Sequence, residues 1–154
     1  MEYNSEDYKK PLKKLLEIVN DGKEGYKHAA EQVHSEKLKE LFEGYAAERG
    51  EMAEKLKANI GPDEKLDKDG DTKGAFHRAL MSIKTALAKD EKDDRIILES
   101  CREGDRSALD AFDDVLQGTI LETSLKPFLT GLRYQISKAF NEVDRLYFEG
   151  FKKE

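Results

Sequence analysis

Tyr8, Leu12, Leu15, Leu16, Val19, Tyr26, Ala29, Ala30 and Val33 recur at helical steps, with charged and polar residues between them. That stripe is one face of an amphipathic helix, and it predicts a first helix over about 5–34. Asp21-Gly22 reads as a turn in mid-pattern, yet the stripe resumes in phase, so one helix bent at that point is expected. Ser35 is a natural N-cap for a second helix, about 35–59. It carries Leu38, Leu41, Phe42, Tyr45, Met52 and Leu56 and is stopped by Gly61-Pro62. A shorter helix of about 74–89 buries Phe76, Leu80, Ile83 and Leu87. Asp90 caps a third long helix, about 91–117, with the stripe Ile97, Cys101, Ala108, Phe112 and Val115 and a stop at Gly118. The last helix, about 123–150, carries Leu125, Phe128, Leu132, Ile136, Ala139, Val143 and Leu146. Its Pro127 falls in the first turn, where the missing N–H costs nothing.

Long helices of about 25 residues span about 38 Å each. Two tight connections and one long crossover join them, and the crossover contains the short helix. A crossover between the second and third long helices is the ferritin-like way to wire a bundle. The expected fold is therefore all-α, a ferritin-like four-helix bundle forming a single domain over 1–154. Composition agrees: 39% charged and 38% hydrophobic residues with only 3 Pro favour helix over sheet. The net charge of -6 is interspersed in sign, so no basic face offers itself to nucleic acid or to an anionic membrane. The longest uncharged runs fall far short of a membrane span. The start, Met-Glu-Tyr-Asn-Ser-Glu-Asp, lacks the basic and apolar regions of a secretory signal. A lone cysteine, Cys101, excludes an intramolecular disulfide framework. A cytoplasmic location is the expectation.

Glu31-x-x-His34 has the spacing that ferritin-like proteins use for iron. A di-iron centre needs two such motifs and two further glutamates, all facing inward, because the carboxylates must bridge two cations on the bundle axis. Measured from Val19 at about 100° per residue, Glu24 lies near 140°, His28 near 180°, Glu31 near 120° and His34 near 60°. Glu24, His28 and Glu31 share an outward face and His34 lies at the helix end; the four stand as weak surface metal candidates able to catch a stray zinc or nickel ion through His28. No partner motif exists: Gly74 stands three residues before His77, and the last helix has no histidine. A calcium loop fails as well. Asp67, Asp69 and Asp71 alternate correctly, but Gly70 is misplaced and Arg78 stands where a bidentate Glu is required. No cofactor is implied.

The inward faces hold a different oddity. Arg49 lies about 20° from Leu38, Asp105 about 40° from Cys101, and Gln135 about 60° from Leu132. A buried arginine is costly unless paired. An interior Arg49–Asp105 ion pair is expected, joined through two parallel bonds, with Gln135 and Tyr45 or His77 completing it. Such a network fixes helix register, or it lines a small pocket for an anionic or polar ligand. Cys101 is expected to be a small buried hydrophobe, not a reactive thiol.

Several of these residues resemble a bacterial domain-of-unknown-function family grouped with ferritin-like four-helix bundles. The pieces are Asp21-Gly22-x-x-Gly25-Tyr26-x-x-Ala29-Ala30-Glu31, Arg49, Gly74-x-x-His77-Arg78 and Gly104-Asp105. The family pattern has a Trp after the His-Arg pair where this chain has Ala79-Leu80. It has Gly-Glu in place of Gly104-Asp105, and His-Asp where Phe140-Asn141 stand. The resemblance implies a ferritin-like bundle with no established activity. The function expected is a non-enzymatic structural, stress-linked or interaction protein with an unidentified protein partner. The alternatives are a divergent metal-binding or oxidoreductase bundle and a small-ligand binder around Arg49 and Asp105. Leftover apolar residues, Leu129, Phe148 and Phe151, leave homodimerisation open.

Overall fold

In the computed structural model, which describes residues 9–61, 94–118 and 124–150, the periodic stripes fold into four helices. These are α1 (Lys9–Gln32), α2 (Glu36–Ile60), α3 (Asp94–Gly118) and α4 (Leu125–Glu149). Ser35 takes an extended backbone, and its hydroxyl accepts the N–H of Leu38 at 3.2 Å. That satisfies one of the donors every helix start leaves free. At the other end of α2, Gly61 has φ 109° and donates its N–H to the Lys57 carbonyl at 2.9 Å, a stop that favours glycine. Helix α1 runs without interruption through Asp21-Gly22, so that pair is not a turn. The helix absorbs a mid-helix glycine because its flanking turns are anchored by Leu15, Leu16, Val19 and Tyr26, all buried. The short helix over 74–89, its His77, the Asp90 cap, the Asp67–Asp71 loop and Phe151 lie outside the described residues.

Cross-helix contacts set the directions. Gly22 meets Arg49 and Tyr26 meets Tyr45, so α1 and α2 are antiparallel. Tyr26 meets Asp105 and His34 meets Asp94, so α3 is antiparallel to α1. Arg102 meets Asp144 and Asp113 meets Arg133, so α4 is antiparallel to α3. Helices α2 and α3 therefore run the same way, and the chain must return the length of the bundle between them. The protein is an all-α four-helix bundle.

Its core is divided along the bundle axis. A basal lobe joins Leu12, Leu15, Leu16 and Val19 of α1 to Met52–Ile60 of α2, Ala108–Val115 of α3 and Leu125–Ile136 of α4. An apical lobe, at the α1–α2 turn, is built from Tyr26, Ala29, Ala30, Leu38, Phe42, Ala46, Ile97, Leu98 and Val143. Between them lies a layer containing Gly22, Arg49 and Asp105, faced on α4 by Ala139, which belongs to neither lobe. Leu129, read from sequence as a leftover surface position, is fully buried in the basal lobe. The buried stripe of α4 is wider than its strongest residues suggest, since Leu129 joins Leu125, Leu132 and Ile136 in the basal lobe. Phe148 is 64% exposed.

Candidate functional site

Among the described residues, the layer between the lobes is the one place where charge enters the core at mid-length. Arg49 is 1% exposed and Asp105 2%, and each stands within one residue of the midpoint of its helix. Helical periodicity puts both there: Arg49 lies one turn from Ala46 and Ala53, and Asp105 one turn from Cys101 and Ala108. Small neighbours leave the long guanidinium room to extend across the core.

The guanidinium Nη2 lies 2.8 Å from Oδ1 of Asp105. The other carboxylate oxygen, Oδ2, accepts the Tyr26 hydroxyl at 2.5 Å. The two parallel Arg–carboxylate bonds expected from sequence are therefore replaced by a shared arrangement, because the phenol takes the second oxygen. The Nη2–Oδ1 contact is an ion pair by distance, but its N–H points off the line. Among the described residues, neither Nη1 nor Nη2 has an aligned hydrogen-bond acceptor. The guanidinium carbon also lies 5.2 Å from the centroid of the Tyr26 ring, a cation–π contact that holds ring and cation together. Tyr45, half-buried, meets the Tyr26 ring edge-on at 5.2 Å and touches the cluster through that ring. Gln135 is half-buried on α4, and no hydrogen bond among the described residues joins it to Arg49.

Gly22 explains how the cation fits. A Cβ at that position would stand 2.6 Å from Nη1 of Arg49. The guanidinium occupies the volume where any other residue would carry its side chain.

Burial raises the Tyr26 phenol well above 10.0, and the neighbouring Asp105 carboxylate adds to the rise. Burial likewise raises Asp105, with Arg49 and the Tyr26 hydroxyl pulling it back. Burial pulls Arg49 down, but Asp105 and Tyr26 outweigh it and hold the guanidinium above its ordinary value. Tyr45 is pushed up to about 12, mainly by burial and by Glu142. The Cys101 thiol, on a partly buried residue rather than a fully buried one, is driven up by burial and Asp105. A general acid or base works best with a pKa near the operating pH, and a thiol nucleophile needs a lowered one. The phenols and the thiol move away from neutrality, which does not suit them to proton transfer or nucleophilic attack.

The surface candidates are placed elsewhere. Glu24, Glu31 and His34 are exposed. His28, expected on open surface, is half-buried, with its Nε2 shielded and without a hydrogen-bond partner. It sits in a groove of about 830 Å3 between α1 and α2, flanked by Glu24 and Glu31 but also by Lys23, Lys27 and Lys39. With Glu43 the same groove carries three carboxylates against three ammonium groups, so its lining is balanced in charge. Among the described residues, no three His, Cys, Asp or Glu side chains converge as a metal-ligand set. No described helix is long and apolar enough to cross a membrane.

Residues 7–118 match a family described as a domain of unknown function, DUF2383. The chain belongs to that family. Tyr26, Arg49 and Asp105 all fall within the DUF2383 match, which ends with α3 and leaves α4 outside. No curated protein and no solved structure matches this chain.

Two residues that matter were not singled out by sequence reasoning as site residues. Tyr26 was legible as an inward position, and its hydroxyl was the available signal, since a buried phenol needs an acceptor. Asp94 is 3% exposed at the start of α3 and accepts the backbone N–H groups of His34 at 2.7 Å and Ser35 at 2.9 Å. It ties the α1–α2 turn to α3, a contact between positions far apart in sequence that no local pattern announces.

Proposed function

We propose that this DUF2383 protein is a ferritin-like bundle without a di-iron centre. It acts as a structural, stress-linked or interaction protein with protein partners in the bacterial cytoplasm, not as an enzyme. The observation that supports this reading best is the Arg49–Asp105–Tyr26 cluster at mid-bundle. A di-metal centre requires several inward carboxylates at one point on the axis. Here a fixed cation stands at mid-length, and the carboxylate beside it is already shared between a guanidinium and a phenol. A buried polar layer of this kind specifies register and pairing among helices, which is its best-attested use.

Metal content tests the proposal. Protein purified without a histidine tag is exposed to Fe(II), Mn(II) and Zn(II), desalted, and assayed by mass spectrometry. Substoichiometric metal lost on desalting is the expected result. About two retained metals per chain would match a di-metal centre and overturn the reading.

A second reading, a small-anion or polar-ligand binder, is favoured by the Nη1 and Nη2 groups of Arg49, which lack aligned acceptors. Thermal shifts with formate, acetate and phosphate separate the two. A saturable stabilisation lost in Arg49→Met supports the ligand reading, and no shift supports the structural one.

A further inference from the structure

The division of the core has a mechanical consequence. Among the described residues, the basal lobe buries thirteen side chains larger than alanine, from all four helices. The apical lobe buries six: Tyr26, Leu38, Phe42, Ile97, Leu98 and Val143. Burial free energy grows with the apolar surface removed from water, so these side chains give the apical lobe less than half that of the basal one. Helix α4 illustrates the asymmetry. It gives Leu125, Leu129, Leu132 and Ile136 to the basal lobe but only Val143 to the apical one, where Leu146 and Tyr147 are merely half-buried. The polar layer interrupts apolar continuity between the lobes, so packing in one does not directly support packing in the other. The apical end is also held shut by the Asp94 carboxylate on the His34 and Ser35 amides, by the Arg102–Asp144 ion pair and by Arg95 and Arg102 over the Tyr147 ring.

We infer that the apical lobe opens as a cooperative unit while the basal lobe stays folded. The Arg49–Asp105–Tyr26 layer is the boundary and the Asp94 clamp is the latch. Cooperative subunits of this sort form where apolar contact is contiguous and separate where it is broken. Opening exposes the Tyr26, Phe42 and Tyr45 rings, which pack on one another in the closed bundle.

Native-state hydrogen exchange on the full chain, followed by mass spectrometry across a urea series, tests this. Amides of 26–30, 38–46 and 97–101 are expected to share one opening and to exchange at least tenfold faster than those of 12–19, 52–60 and 108–115. Asp94→Ala is expected to speed the first set at least another tenfold; the second set, which opens by global unfolding, speeds only by the loss of global stability and stays the slower of the two. A single set of opening rates spanning both lobes in the wild type would overturn the inference. An unchanged rate for the first set in Asp94→Ala would overturn the role of the latch. Since the wild-type comparison needs no variant, a misfolded Asp94→Ala protein would leave the main test intact.

Discussion

Gly22→Ala is the sharpest probe of how the core is assembled, because two effects of opposite sign meet at one methyl group. Alanine is favoured over glycine inside a helix by about 1 kcal/mol. Gly22 is mid-helix in α1, so a purely local view expects the substitution to stabilise. In the bundle the new Cβ would stand 2.6 Å from Nη1, while Cζ and Cδ of Arg49 lie at 3.7 and 3.8 Å, ordinary contact. Only the guanidinium tip must move, by about 1 Å to reach normal separation. That tip is not a free end: it is 2.8 Å from Asp105 and sealed from water. Separating a buried ion pair costs about 3–5 kcal/mol, and a partial displacement some fraction of that. The net expectation is a loss of about 2 kcal/mol, read as a fall in the urea midpoint at unchanged slope. The melting temperature should drop by roughly 4–8 °C for a chain of this size. The deciding comparison is the same substitution in an Arg49→Met/Asp105→Asn background, where the tip and the charge are gone. There Gly22→Ala should change sign and stabilise by up to about 1 kcal/mol. Equal destabilisation in both backgrounds, or a wild-type background that gains stability, would refute the account of Gly22 as the space Arg49 occupies.

Asp94→Ala removes the acceptor for two backbone donors, those of His34 and Ser35. Leaving them without partners should cost about 2–4 kcal/mol in urea unfolding, with a loss below 1 kcal/mol counting against the clamp. Stability should also fall as the solution is made alkaline. The unfolded chain gives up its tyrosine protons near 10.0, whereas native Tyr26 keeps its proton well above that. Native protein then binds more protons than unfolded protein, so the slope is negative, at most about 1.4 kcal/mol per pH unit from Tyr26. Tyr45 and Cys101, also raised, act in the same direction; the unfolded thiol titrates around 9.0, so its contribution begins at about pH 8 and those of the phenols at about pH 9. Unfolding free energies measured at pH 8, 9, 10 and 11 should decline above 9, less steeply in Tyr26→Phe. A flat wild-type profile would contradict the buried phenol.

Helical content and the four long helices were legible from periodicity alone, since apolar residues at three- and four-residue steps leave one way to bury a stripe. The Ser35 cap and the Gly61 stop were legible too, because capping is a local bond between a side chain or backbone and its own turn. At Asp21-Gly22 the phase of the stripe kept one helix through a glycine, and α1 runs through it unbroken. Local propensity reads glycine as a break, but its purpose at Gly22 is set by a side chain that arrives from another helix.

The sequence by itself determined which faces turn inward, and so placed Arg49, Asp105 and Tyr26 on buried stripes. Only the tertiary structure decided how they pair, because pairing depends on the axial register between helices that the periodicity of one helix cannot report. Register gave Asp105 two partners, one per oxygen, where sequence reasoning expected one partner on both. It also seated His28 in the α1–α2 groove, brought Asp94 to the distant α1–α2 turn, and sank Leu129 into the core. Each of these outcomes depends on where a second helix lies, and that position is fixed by the packing of the whole bundle.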